Sequence, residues 1–97
     1  MLLEAEGFDV VGEAADGAQA ITEAGRLRPE VVLLDVQLPD IDGFEVAGQL
    51  TNGNGPNIVL VSSRDSSDFG PRVARSGARG FVPKAELSGD RVQELLP

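Results

Sequence analysis

Residues 31–43 read VVLLDVQLPDIDG, and this stretch decides the fold of the chain. It opens with an unbroken apolar run that ends abruptly at Asp35. A strand without polar alternation is buried on both faces, which is typical of a parallel sheet covered by helices on each side. The residues after Asp35, with Pro39 among them, predict a loop that leads into a helix beginning at Gly43.

Strands and helices alternate on both sides of this stretch, after a short helical segment at residues 1–6. We expect strands at 8–14, 31–34, 58–61 and 80–82, and helices at 18–27, 43–50, 66–75 and from Ser88 onward. Gly70 and Pro71 predict an interruption of the third of these helices. The order indicates one α/β domain over residues 1–97, with a parallel sheet between helical layers.

The composition excludes several classes of protein. The 97 residues include no histidine and no cysteine, so Ser-His-Asp catalysis, disulfides and zinc–thiolate sites are ruled out. With 16 acidic and 8 basic residues, the net charge of −8 disfavours binding to nucleic acid or to an anionic membrane surface. No apolar run approaches the roughly 18 residues of a membrane span, and the amino terminus lacks a signal-peptide pattern, so we expect a cytoplasmic protein.

Polar side chains follow the apolar runs at the ends of three predicted strands, namely Asp35, Ser62 and Lys84. Ligand sites in open α/β sheets form beyond the carboxyl ends of the strands. Each residue alone has an ordinary structural explanation, as a loop acid, a helix cap or a surface charge. Together they place an acid, a hydroxyl and the only lysine of the chain at one edge of the sheet. Asp40 and Asp42 lie nearby, where the amino terminus of the helix at Gly43 explains them.

Three ordered segments resemble the receiver domain of two-component response regulators, the CheY-like family. Residues 31–43 resemble its phospho-acceptor segment, a hydrophobic strand followed by D-x-x-[ML]-P-x-x-[DN]-G. Residues 57–63 resemble its fourth strand with the terminal Ser or Thr, and 77–84 (GARGFVPK) resemble its fifth-strand segment. The resemblance covers nearly the whole chain. It implies a flavodoxin-like α/β/α fold with four of the usual five strands.

The resemblance also implies a chemical role for Asp35, which would accept a phosphoryl group from a sensor histidine kinase or from a small donor such as acetyl phosphate. Lys84 would pair with Asp35 and then with the acyl phosphate. The backbone carbonyl of Gln37 would join Asp35 in binding Mg²⁺. Phosphoryl transfer needs in-line positioning and charge neutralisation, which a metal ion and a lysine supply.

Three further residues would carry the switch. The Ser62 hydroxyl and the backbone N–H of Ser63 would hydrogen-bond phosphoryl oxygens. Phe81 would turn inward once the hydroxyl is drawn to the phosphate. The family's helix 4–strand 5–helix 5 face, formed here by the last two helices and the strand between them, would then change and control an output in transcription regulation. The chain itself is expected to contact neither nucleic acid nor membrane.

The sequence departs from the family pattern at its beginning. The family's first strand, with the acidic pair that holds Mg²⁺, has no counterpart, so the chain begins within what would be the first helix. We therefore expect weak Mg²⁺ binding and impaired phosphorylation. We also expect open sheet edges, which favour a homodimer or a strand-exchanged oligomer. A misassigned start or a fragment of a longer protein is the other explanation.

Three functions remain open at this point. The first is a phospho-acceptor receiver, which is not an enzyme in the turnover sense. The second is a phosphorylation-independent interaction or dimerisation module, which the lack of the acidic pair favours. The third is a metal-dependent phosphohydrolase that uses Asp35, Asp40 and Asp42, although no general base accompanies them.

Overall fold

The sheet is parallel and has three strands in the order β1–β2–β3 in a computed structural model that describes residues 14–51, 55–62 and 70–96. The strands are β1 (Val31–Asp35), β2 (Asn57–Ser62) and β3 (Gly80–Pro83). Each was predicted to within two residues, and the predicted parallel α/β fold is confirmed. The strand expected at 8–14 lies outside the described residues except for Ala14, and so does the helical segment at 1–6.

In the described ranges four α-helices accompany the strands: α1 (Gly17–Leu27), α2 (Gly43–Leu50), α3 (Gly70–Arg75) and α4 (Gly89–Leu95), with a 3-10 turn at Lys84–Glu86. Three of these helices have a polar N-cap. The side chains of Asp16, Asp42 and Ser88 each accept a hydrogen bond from a backbone N–H of the first turn.

Gly70 and Pro71, where the sequence predicts an interruption, are the first two described residues of α3. Residues 66–69, where this helix was expected to begin, lie outside the described residues.

Hydrophobic side chains form one core cluster on each face of the sheet. On the first face, Leu34, Ile58 and Leu60 meet α2, and Val73 of α3 packs against the same cluster. On the second face, Val59, Val61 and Val82 meet Val92 of α4. Helices therefore cover both faces, as an α/β/α arrangement requires.

The spacing of apolar and small residues in 43–50 predicts that Phe44, Ala47 and Gly48 face inward from α2, and the structure confirms two of these three. Phe44 and Ala47 are buried as expected, whereas Gly48 is exposed and Val46 is fully buried. None of the helices in the described part of the chain is long and apolar enough to cross a membrane.

Strand register brings the functional candidates to one edge of the sheet. Asp35 of β1 is opposite Val61 of β2, which in turn is opposite Val82 of β3. The three strands therefore end almost level, and the residues that follow them share the carboxyl edge.

Gly43 begins α2 at a point of very close backbone approach. A Cβ atom at this position would lie 2.3 Å from the carbonyl oxygen of Asp35 and 2.7 Å from Cα of Val36. The N–H of Gly43 donates to the Val36 carbonyl at 3.1 Å, which holds the start of α2 against the end of β1. Only glycine fits here without a shift of the backbone.

We predict that Gly43→Ala lowers the free energy of unfolding by about 1–3 kcal/mol, the usual cost of overpacking. Urea unfolding followed by circular dichroism measures this change. Gly48→Ala is the matched control, because a Cβ there meets nothing within 4 Å. It should be neutral or stabilising by up to about 1 kcal/mol, and an equal loss in both variants would contradict the steric explanation.

Candidate functional site

Asp35 and Lys84 form an ion pair at the carboxyl edge of the sheet. Lys84 Nζ lies 2.8 Å from Asp35 Oδ2, and the two side chains are 43% and 28% exposed respectively. The other carboxylate oxygen, Oδ1, accepts the backbone N–H of Gln37 at 2.9 Å. Both oxygens of the carboxylate therefore face donors, one of them a full positive charge that solvent can still reach.

Lys84 reaches this position because the chain turns directly after β3. Pro83 ends the strand in an extended conformation, and the 3-10 turn begins at Lys84. The lysine side chain is long and flexible, so its ammonium group can follow a negative charge that moves or grows at Asp35.

Ser62 ends β2 and is almost completely buried, with 1% of its surface exposed. Since Asp35 is opposite Val61, Ser62 is one residue beyond that level, opposite Pro83. Side chains alternate between the faces of a strand, so Ser62 lies on the face of Leu60 and its partner Phe81, whereas Asp35 lies on the face of Val61. Ser63 is outside the described residues.

Phe81 lies in β3 and is half-buried against the first core cluster. It is opposite Leu60, two residues before Ser62. The predicted switch pair therefore occupies a single face of the sheet.

The loop of residues 36–42 connects β1 to α2, and Asp40 attaches it to α1. Asp40 Oδ1 accepts the N–H of Gly17 at 2.7 Å, and Oδ2 accepts the N–H of Ala18 at 3.0 Å. These hydrogen bonds, that from Gly17 above all, lower the pKa of Asp40 below its ordinary value of 3.8. The assignment of Asp40 to the helix at Gly43 is wrong, because its carboxylate caps the start of α1, 22 residues earlier in the chain.

Asp42 ends the same loop and has two partners. Its Oδ1 accepts the N–H of Phe44 at 2.7 Å, which caps α2 as expected, and its Oδ2 pairs with the guanidinium of Arg72 in α3. Partial burial opposes ionisation of Asp42. The hydrogen bonds from Arg72 and from the N–H of Phe44, with the charge of Arg72, outweigh this effect, so the pKa of Asp42 is lowered. The local sequence did not predict the contact between Arg72 and Asp42, because the two residues are 30 positions apart.

The described residues contain no group of three acidic side chains that could hold a metal ion. Asp40 and Asp42 are instead bound to α1 and to Arg72, which leaves the phosphohydrolase interpretation without a catalytic cluster in the described part. The Asp35 carboxylate and the Gln37 carbonyl are hard oxygen donors of the kind that suits Mg²⁺. These two residues are the ones in the described part of the chain that would hold such an ion.

A family model for the response regulator receiver domain matches residues 1–95. The chain is a member of the response regulator receiver family. It is 40% identical over 87 residues to the virulence-factor transcription regulator BvgA of Bordetella pertussis, covering 89% of this chain and 42% of that protein. It is 36% identical over 101 residues to a protein-glutamate methylesterase/protein-glutamine glutaminase of Alkalilimnicola ehrlichii, covering 96% of this chain and 25% of the relative.

A solved structure shares the fold of this receiver chain. It is a two-component response regulator of the LuxR family from Aurantimonas sp. SI85-9A1, with a TM-score of 0.79 and 28% identity over 93% of this chain and 65% of that one. The receiver chain thus spans less than half of both curated relatives. Those two relatives bear the names of a transcription regulator and an enzyme, so the receiver region is what they share with this chain.

We predict that Asp40→Asn destabilises the receiver at neutral pH and that this loss disappears in acid. Because the pKa of Asp40 is lowered on folding, its charge stabilises the folded state fully above pH 3.8. That contribution is lost as the pH falls through the lowered folded-state value. Urea midpoints of wild type and variant, measured between neutral and acidic pH, should therefore converge below pH 3.8. A gap that is independent of pH would contradict the role of the charge.

Proposed function

We propose that this receiver accepts a phosphoryl group on Asp35 from the phosphohistidine of a sensor histidine kinase or from acetyl phosphate. The observation that supports this most directly is the ion pair of Asp35 with Lys84 at the carboxyl edge of the sheet. A carboxylate oxygen of Asp35 forms a bond to phosphorus as the bond to the histidine nitrogen or to the acetyl oxygen breaks. The leaving group keeps the electron pair of that bond, and the product is an acyl phosphate on Asp35.

The contacts of Asp35 suit this reaction. The N–H of Gln37 fixes the orientation of the carboxylate through Oδ1, which reduces the entropy lost on reaching an in-line geometry. Lys84 lies where negative charge builds up as the phosphoryl group arrives, and its partial exposure leaves it free to move from Oδ2 to a phosphoryl oxygen. Mg²⁺, when held by Asp35 and the Gln37 carbonyl, would neutralise further charge on the phosphoryl oxygens.

The same proposal gives Ser62 and Phe81 the switch role. Ser62 is the last residue of β2 and lies two residues beyond Leu60, the residue opposite Phe81. Ser62 and Phe81 are therefore on the same face of the sheet. Movement of the Ser62 hydroxyl, and of the Ser63 N–H beside it, towards a phosphoryl oxygen would change the space available to the Phe81 ring. That change would pass to α3, β3 and α4, the face through which an output would be controlled.

The proposal includes no turnover activity for this chain, a histidine kinase as partner and the cytoplasmic location that the sequence predicts. The alternative is a phosphorylation-independent module that acts by association, as a homodimer or a strand-exchanged oligomer. One observation favours it, namely that the described residues contain no group of three acidic side chains that could hold a metal ion.

Beryllofluoride with Mg²⁺ separates these two functions, because it mimics the phosphoryl group on an aspartate. In ¹⁵N-labelled wild type we expect Gln37, Ser62 and Lys84 amide resonances to shift only when both components are present. Asp35→Asn should be silent. A silent wild type whose sedimentation shows a stable oligomer would overturn the acceptor function and favour the association module.

Lys84→Met should slow phosphorylation of Asp35 by acetyl phosphate about 100-fold, the typical loss when one preorganised donor to a developing charge is removed. Radioactive or mass-spectrometric detection of the acyl phosphate measures the rate. Arg91→Met is the matched control, because it removes an exposed base of α4 that pairs with Glu86 and Glu94. Equal rates for the two variants would contradict the role of Lys84.

A further inference from the structure

Arg72 joins α3 to the amino-terminal end of α2. Its guanidinium pairs with Asp42, and its Cζ atom lies 4.3 Å from the centre of the Phe44 ring. The Asp42 carboxylate accepts an N–H from the positively charged guanidinium. The flat guanidinium also lies over the face of the Phe44 ring, a cation–π contact. We call these three side chains the arginine clamp.

The arginine clamp contacts the end of the 36–42 loop, which follows Asp35 in the chain. Asp42 forms an antiparallel β-bridge with Gln37 across the base of the 36–42 loop. Gln37 in turn donates its N–H to Asp35 Oδ1. A continuous series of contacts therefore runs from α3 through Asp42 and Gln37 to the carboxylate.

Within the described residues, α3 has few buried contacts. None of its residues is buried, and Val73 contributes only a partly buried contact with the first core cluster. Elements with few buried contacts open and shift at low free-energy cost. The arginine clamp is thus one of the described contacts that hold α3 beside the loop.

We propose that Arg72 is a positioning residue for phosphoryl acceptance, which acts through Asp42 to keep the Gln37 N–H on Asp35. This inference rests on the proposed function and adds a regulatory route to it. Because coupling is reciprocal, a phosphoryl group that pulls Asp35 and Gln37 apart weakens the arginine clamp and loosens α3. Displacement of α3 by a partner likewise frees the carboxylate.

The exposure of the arginine clamp suits a contact that must open. The Arg72 and Asp42 side chains are 53% and 42% exposed. Exposed ion pairs are weak and are screened by salt, so the clamp favours the observed position of the loop without locking it.

The Gln37 amide resonance tests the coupling without phosphorylation. The full chain is compared as wild type, Arg72→Met, Asp42→Asn and the double variant. The Asn amide oxygen can still accept the Phe44 N–H, so this variant removes the charge and keeps the cap. We expect Arg72→Met to shift the Gln37 resonance when Asp42 is present and to leave it unchanged in the Asp42→Asn background.

Arg75→Met is the matched control, since Arg75 is an exposed arginine of the same helix and forms no ion pair with a described residue. It should leave the Gln37 resonance in place. An unmoved resonance in Arg72→Met, or the same movement in both Asp42 backgrounds, would overturn the coupling.

Acetyl phosphate kinetics test the positioning role. Arg72→Met should slow the maximal rate about threefold to tenfold, with no change in the donor concentration that gives half of that rate. Arg72→Lys should recover part of the loss, because the charge remains and the flat contact with Phe44 is gone. The difference between Arg72→Met and wild type should shrink in about 1 M salt, where the screening length is only a few ångströms.

The two measurements distinguish failure of the inference from failure of the proposed function. A wild type that takes no phosphoryl group refutes the proposed function, and with it the positioning role, while the Gln37 resonance still decides the coupling. A wild type that is phosphorylated at the same rate as Arg72→Met overturns the positioning role, whatever the resonance shows.

Discussion

The structure depends on the parallel pairing of β2 with a strand on each side. Ile58, Val59, Leu60 and Val61 have no exposed surface, and each fully buried aliphatic side chain of this size contributes about 1.5–3 kcal/mol. Their alternate side chains enter the two core clusters, so β2 joins the helical layers as well as its neighbouring strands. Because β1 and β3 take their register from β2, the distance between Asp35 and Lys84 follows from the burial of these four residues.

The sequence predicted the parts of this arrangement that depend on local chemistry. Continuous apolar runs marked β1 and β2, and helix caps such as Ser88 marked where helices begin. Local patterns were less useful inside α2, where Gly48 was expected to face the core and Val46 does so instead. Eight residues at helical spacing allow more than one inward face, and only the position of the neighbouring sheet decides between them.

Long-range contacts escaped prediction for a different reason. Asp40 caps α1 and Asp42 pairs with Arg72, and both partners are distant in the sequence although they are in contact in the fold. Short polar residues before a helix normally cap that helix, so Asp40 was assigned to the nearest one. The three carboxylates of the 31–43 stretch thus have separate tasks: one faces the lysine, one holds α1, and one connects α2 with α3. Residues 31–43 therefore contain three acidic side chains that bind three different elements and do not form one acidic cluster.

Lys84 is the only lysine in the chain, and its side chain is 43% exposed. Apart from the amino terminus, an amine-reactive reagent would therefore label this protein at a single position, beside the carboxylate of Asp35. The rate of labelling would follow the access of the reagent to the Lys84 side chain, which the ion pair with Asp35 partly restricts. The composition of the chain thereby provides a chemical probe of its carboxyl edge that needs no engineered residue.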